Sequence, residues 1–192
     1  MFDEAIKVMY ATDASSYREI PLAVSYPKNK ADIKLLIDFA RKNKTTIIPR
    51  TAGTSLAGQV VGSGIIADVS KYWTSIIELN VEEKWVKVEP GVILDELNLY
   101  LKPYNLFFGP ETSTANRCMM GGMLGNNACG LRSLVYGSTR DHTLEVETIL
   151  SDGSEVVFKE ISKSEFQQKR KGDSLESNIY NGIFETLSKE EN

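Results

Sequence analysis

The chain has 192 residues, 22 of them basic and 26 acidic, with 42% hydrophobic residues, two cysteines and one histidine. That length holds one sizeable core or two small lobes but not a second full catalytic domain, and a net charge of -4 lacks the basic surplus of a nucleic-acid-binding surface. No apolar run approaches the ~18 residues of a membrane span, and Met1, Phe2, Asp3 and Glu4 carry no secretory-signal pattern, so the expectation is a cytoplasmic chain without a membrane span.

In chain order, Asp13 to Pro21 is turn-rich and leads into a short apolar stretch, Leu22 to Val24. Asn29, with Asp32 three residues on, predicts a helix cap, and Ile33, Leu36, Ile37 and Ala40 then share one face of a helix over 30–43. Thr45 to Ile48 reads as a buried strand ending at Pro49, and 64–69 as a second. This strand, helix, strand, Gly-rich loop order is an α/β arrangement. Ile76 to Leu79 and Trp85 to Glu89 predict a hairpin around 82–84. After Pro90 and Gly91, a helix with Ile93, Leu94, Leu97 and Leu101 on one side is expected to stop at Pro103. Leu106 to Phe108 reads as extended. Residues 121–137 are dense in Gly and Asn with no clean period. Leu144 to Leu150 and Glu155 to Phe158 flank an Asp-Gly turn, a second hairpin. Ile179, Ile183, Phe184 and Leu187 predict a helical face near the end.

Two loops carry the chemistry. Pro49-Arg50-Thr51-Ala52-Gly53-Thr54-Ser55-Leu56-Ala57-Gly58-Gln59 follows a strand. Its small residues leave consecutive backbone amides open, and such a nest binds anions; Thr54 and Ser55 add hydroxyls suited to a pyrophosphate. An exposed turn without a ligand explains the same spacing, and neither GxGxxG nor GxxxxGK[ST] is present. The second system is Gly109-Pro110-Glu111-Thr112-Ser113 with Gly121-Gly122-Met123-Leu124-Gly125-Asn126-Asn127-Ala128-Cys129-Gly130. Paired glycines let a flat ring lie on the backbone, and Asn side chains can bond the edge of an isoalloxazine. Close packing accounts for any one of those glycines taken alone. Cys118 and Cys129 lie eleven residues apart with no CxxC, which predicts free thiols and no metal site. Cys129 reads as a small buried residue filling a tight turn.

The loop PRTAGTSLAGQ, followed by GPETSTANRCMMGGMLGNNACGLRSLVYGSTRDHTLEVETILSDGSEV, resembles the FAD-binding domain of the vanillyl-alcohol oxidase/PCMH-type family. More narrowly it is similar to the FAD-linked oxidases that include D-lactate, glycolate and D-2-hydroxyglutarate dehydrogenases. The resemblance covers roughly residues 10–158. It implies an α+β fold of two lobes, about 1–80 and 81–192, with FAD extended between them. It implies that Arg50, Thr51, Ala52, Gly53, Thr54, Ser55 and Gln59 surround the pyrophosphate. Pro110, Glu111 and Thr112 would lie along the flavin and ribityl region, with Gly121, Gly122, Gly125, Asn126 and Asn127 continuing that wall. Tyr136-Gly137 and the segment Asp141 to Leu144 would complete the wall near the diphosphate or adenine half.

Many relatives carry Gly where this chain has Thr51, which requires a negative φ there. Covalent flavin attachment usually uses a histidine in the first loop, and none is present, so the FAD is expected to be non-covalent. The sole histidine, His142, beside Asp141, reads as a hydrogen-bonded structural residue. The resemblance implies a flavin-dependent oxidoreductase that oxidises a small D-2-hydroxy acid by hydride transfer to flavin N5. The catalytic base would come from a cap domain outside these residues. It also implies an electron acceptor, such as an iron–sulfur module, elsewhere in a longer protein, of which this chain would be an inactive N-terminal fragment. A non-catalytic flavin- or nucleotide-binding module and an NADPH-dependent UDP-sugar enolpyruvate reductase-like flavoprotein remain alternatives.

Overall fold

Three short apolar runs, β1 (Ala23–Ser25), β2 (Ile47–Arg50) and β3 (Ile65–Asp68), form a parallel sheet in the order β1-β3-β2. The computed structural model describes residues 3–190. It divides the chain into two compact units, Met1–Thr143 and Leu144–Asn192. All four residues of the central strand β3 are buried, as expected for a parallel strand covered on both faces. Parallel neighbours need a crossover, and α2 (Lys30–Lys42) supplies it between β1 and β2. Its cap is the expected one: the Asp32 amide donates to Asn29 Oδ1 at 2.9 Å, and the Lys28 amide to Asp32 Oδ2 at 2.8 Å. β2 does not stop at Pro49 as expected but runs on to Arg50. It is an edge strand, where the missing proline N–H leaves no ladder bond unmade.

A short helix not anticipated from sequence, α1 (Glu4–Met9), is capped by Asp3, whose side chain accepts from the Ala5 and Ile6 amides at 2.9 and 3.2 Å. The predicted hairpin is β4 (Ile76–Asn80) against β5 (Trp85–Val88), antiparallel with an irregularity between Ile76 and Glu78. α3 (Leu94–Leu101) covers it: Val92, Leu97 and Leu101 are buried against Leu79, Val86 and Val88. Pro103 does not end the helix cleanly. It sits in the first residues of a 3-10 turn, Lys102–Tyr104, appended to α3, where an amide has no partner within the turn and the missing N–H costs it no bond.

Residues 106–108 lie outside any helix or strand, and the Phe108 amide donates to the Asn98 side chain at 2.7 Å. The stretch with no clean period contains two short helices, α4 (Met120–Gly125) and α5 (Ser133–Tyr136). With three glycines in six residues, α4 is poor by propensity. Tertiary bonds hold it: the Met120 and Gly121 amides donate to the carbonyls of Val92 and Pro90, both at 2.9 Å. In return the Leu94 and Asp95 amides, at an α3 N-terminus without a side-chain cap, donate to the Cys118 and Ala115 carbonyls at 3.1 Å each. The 115–121 segment is thereby fixed along 90–95.

The second unit pairs β6 (Glu145–Ile149) with β7 (Glu155–Lys159) in the predicted hairpin, its turn closed by Asp152 and by Gly153 at φ +85. α6 (Lys163–Lys169), also not anticipated, begins with a Ser162–Glu165 capping box. In α7 (Leu175–Glu190) the buried aromatic is Tyr180, outside the predicted face, while Ile183 and Leu187 are exposed. Tyr180 wins the interior because it meets both neighbours, edge-on to Phe166 at 5.5 Å and tilted on Phe158 at 6.2 Å.

Candidate functional site

The first loop rests on a charged and aromatic base. Arg50 ends β2 opposite Asp68 of β3. Its guanidinium lies 5.1 Å from the Tyr10 ring centroid, and Nη1 donates to the carbonyls of Thr12 at 2.9 Å and Tyr10 at 3.3 Å. The Tyr10 hydroxyl donates to buried Asp68 at 2.5 Å. Burial and that bond push the Tyr10 pKa far above the ordinary tyrosine range. The underside of the loop is thus tied to residues that sequence reasoning missed, Tyr10 and Asp68. Neither lies in a motif: Tyr10 follows α1 and Asp68 ends β3.

Above this base, Gly53 takes φ +67, and its carbonyl accepts from the Ala14 amide at 3.2 Å. A Cβ there would stand 2.5 Å from Arg50 Nη2. Thr51 is not among the positive-φ residues, so the condition set by its β-branch is met. The Ser55 hydroxyl donates to the Asp13 carboxylate, which also accepts from the Ser15 amide at 2.8 Å. Partial burial raises the Asp13 pKa, but the bonds from Ser15 and Ser55 outweigh it and hold the carboxyl below its ordinary 3.8. A depressed carboxyl adds stability that is full above the unfolded value and is lost as pH falls through the folded one. Asp13→Asn is therefore expected to lower the melting temperature at neutral pH by a few degrees and to flatten its fall below about pH 4, read from melts across pH 2–7.

In the second loop system Pro110 is buried, and Glu111 pairs with Arg132 Nε at 3.0 Å. Thr112 Oγ1 lies 3.3 Å from Cys118 Sγ and 3.1 Å from Thr114 Oγ1. Gly130 lies directly on the Glu111 carbonyl, and Gly109 on Tyr136, so the PET and NNACG segments are stacked backbone to backbone. Tyr136 is held locally: its ring meets Phe107 edge-on at 5.2 Å, and its carbonyl lies 2.5 Å from His142 Nε2. His142 is thus a hydrogen-bonded structural residue, within a 3-10 turn and not on a strand edge. Asp141 bonds the Ser138 amide at 2.8 Å and the Ser138 hydroxyl at 2.9 Å; these bonds lower its pKa. Asn127, at φ 46, accepts from the Arg140 amide at 2.9 Å. Leu144 belongs to the other unit and is 68% exposed. The cysteine expectation is corrected: Cys129 is exposed, and Cys118 is the buried thiol, packed with Leu94 and Met123. Among the described residues there is no metal-ligand cluster and no helix long and apolar enough to cross a membrane.

The two loops meet at two points. Gln59 Nε2 donates to Asn126 Oδ1 at 2.8 Å, and Gly122 lies so near Thr51 that a Cβ would stand 2.7 Å from its Oγ1. Gly121 packs likewise on Pro90, whereas a Cβ on Gly125 would meet nothing within 4 Å. The first loop also lines an open cleft of about 290 Å³, with Thr12, Asp13, Arg50, Ala52, Gly53, Thr54 and, from the second loop system, Arg117. Its loop side presents no side chain larger than threonine between Arg50 and Ser55, so backbone amides are within a ligand's reach. That suits the diphosphate portion of a dinucleotide. Arg117 was not picked out from the sequence, where it is one basic residue among 22.

Residues 21–159 match the family model described as FAD binding domain. The chain is 40% identical over 184 residues to D-2-hydroxyglutarate dehydrogenase of Escherichia coli K12, covering 94% of the chain and 18% of that protein. It is 31% identical over 156 residues to the glycolate oxidase subunit GlcD of Bacillus subtilis, covering 79% of the chain and 33% of the relative. The chain therefore spans about a fifth to a third of the length of these relatives. Among solved structures, alkyldihydroxyacetonephosphate synthase superposes with a TM-score of 0.71 at 16% identity, over 86% of this chain and 32% of that one. A Physcomitrella patens BBE-like 1 variant gives 0.69 at 20% identity, over 81% of this chain and 34% of its own. These two establish the mixed α+β fold expected of PCMH-type domains. With the family model matched across most of its length, the chain belongs to the FAD-binding domain family of the FAD-linked oxidases.

Proposed function

We propose that this chain is the cofactor domain of a flavin-dependent dehydrogenase that oxidises a small D-2-hydroxy acid in the cytoplasm. The observation that carries the reading is the meeting of the two loops at Gln59–Asn126 and Thr51–Gly122, with a cleft on the first loop lined by the small residues Ala52, Gly53 and Thr54. The resemblance to D-2-hydroxyglutarate dehydrogenase across nearly the whole chain supports the substrate class. Bound FAD would supply a two-electron acceptor for the substrate hydride. The chain's own part is to hold the cofactor: Ala52, Gly53 and Thr54 offer amides to the diphosphate, and Asn126 with the open surface at Gly125 borders the ring side. The FAD is held non-covalently, His142 being committed to the Tyr136 carbonyl. The base, the substrate-carboxylate contacts and an onward electron acceptor such as an iron–sulfur module belong to further parts of the protein.

The test uses the full-length protein purified with its flavin. Anaerobic D-2-hydroxyglutarate or D-lactate is expected to bleach the yellow chromophore. Bleaching by NADPH and not by either hydroxy acid would replace this reading with a reductase, and a protein that retains no flavin after reconstitution would overturn it.

A further inference from the structure

We propose that Arg117 is the side-chain cation of the diphosphate site, delivered to the first loop from the second. This rests on the FAD reading above and adds to it a residue and an electrostatic mechanism.

The argument starts from what the other charges at the cleft are doing. A diphosphate carries two negative charges near neutral pH, and backbone amides offer only partial positive charge to meet them. Arg50 is the obvious cation by position in sequence. Its Nη1, however, is spent on the Thr12 and Tyr10 carbonyls, and its charge sits over the Tyr10 ring beneath the loop. Asp13, on the same cleft, is anionic and engaged with Ser15 and Ser55. Arg50 and Asp13 both line the cleft, and without another group their opposite charges leave that lining with no net positive charge.

Arg117 changes that balance. It lines the same cleft as Ala52, Gly53 and Thr54. It is exposed, and among the described residues its guanidinium meets no carboxylate; Nη1 donates only to the side chain of its neighbour Asn116, at 2.9 Å. Its backbone is far from loose. The Arg117 amide donates to the Thr114 carbonyl at 2.8 Å, and the next residue, Cys118, is buried and bonded on both sides through Thr114 and Leu94. A long cationic side chain therefore projects from an anchored turn to the edge of an amide nest, with no internal ion pair to break before it binds an anion. A guanidinium presents two parallel N–H donors to phosphate oxygens, which an ammonium does not. The placement also explains how an acidic chain holds an anionic cofactor: the charge is supplied locally, at one point.

The test is binding, not turnover. When FAD and ADP are titrated into the flavin-free full-length protein and followed by flavin fluorescence and by calorimetry, Arg117→Gln is expected to weaken both by about ten- to a hundredfold, as for a lost charged hydrogen bond. It should leave riboflavin, which lacks phosphates, within about twofold, and it should flatten the salt dependence of FAD binding. Arg117→Lys should recover part of the affinity, and the melting temperature should stay unchanged in both, since the side chain is exposed and makes no ion pair among the described residues. Equal FAD affinity in wild type and Arg117→Gln overturns the assignment, as does an equal loss for riboflavin. Failure of the unmutated full-length protein to bind FAD or ADP would instead remove the FAD reading beneath it.

Discussion

Gly130→Ala is expected to destabilise the first unit more than a methyl added at the other glycines of the second loop system. An ideal Cβ at this position falls inside the van der Waals radius of the Glu111 carbonyl oxygen, with the rest of that peptide and Thr112 immediately behind. The obstacle is backbone, not the tip of a flexible side chain, so relief requires the PET and NNACG segments to separate. Overpacking of this kind typically costs about 1–3 kcal/mol and sometimes more; the backbone contact places Gly130 at or above the top of that range. For a domain of this size the shift in melting temperature is roughly 6–12 °C. Trp73 and Trp85 both lie in the first unit, so tryptophan fluorescence reports its unfolding without interference from the second. Gly125→Ala is the control, because a Cβ there meets nothing within 4 Å, and alanine gains helix propensity of up to about 1 kcal/mol. Equal melting temperatures for the two variants would mean that the stacking of these segments contributes little.

The contrast between those two glycines shows which parts of the molecule could be read from sequence. α2 was legible because its cap, period and length all agree: Asn29, Asp32 and the Ile33–Ala40 stripe each point to the same helix. The two hairpins were legible from alternation and turn residues. α4 was not, since Met120–Gly125 contains three glycines and its first turn is held by amides that donate to the carbonyls of Val92 and Pro90, which are distant in sequence. The glycines of the second loop looked interchangeable on the page. In space Gly121 packs on Pro90, Gly122 on Thr51 and Gly130 on Glu111, and only Gly125 is open. Close packing, one of the two explanations weighed for these glycines, accounts for Gly121, Gly122 and Gly130 and brings the two loops together at Thr51–Gly122; at Gly125 nothing packs within 4 Å of an added Cβ.

The same division separates the two arginines. Arg50 could be found because it sits at the head of a recognisable loop, but its bonds are to Tyr10 and Thr12, from a segment whose sequence carries no motif. Arg117 could not be found, because nothing local marks it; its interest comes from the cleft it shares with Gly53 and Thr54. Sequence spacing identifies loops that run continuously along the chain. It does not identify which side chain from elsewhere completes them.

Gly53→Leu is expected to abolish measurable FAD binding, raising the dissociation constant by at least about a hundredfold, while the chain still folds. Two costs act together. A side chain at φ +67 pays about 1–2 kcal/mol for left-handed backbone, and leucine has no room, since its Cβ alone would stand 2.5 Å from Arg50 Nη2 and 2.9 Å from Cζ. The neighbour that must yield is a flexible side chain, so the fold survives; the displaced guanidinium, however, abandons the Thr12 and Tyr10 carbonyls that fix the loop from below. The amides of Ala52 to Thr54 then lose the arrangement a diphosphate requires. Gly53→Ala, with the same backbone strain and less bulk, should fall between wild type and leucine in affinity. Flavin fluorescence titration measures all three, and tryptophan-monitored melts confirm that the variants are folded. Wild-type affinity in a folded Gly53→Leu chain would exclude this loop from the cofactor site, and with it the position assigned to the diphosphate.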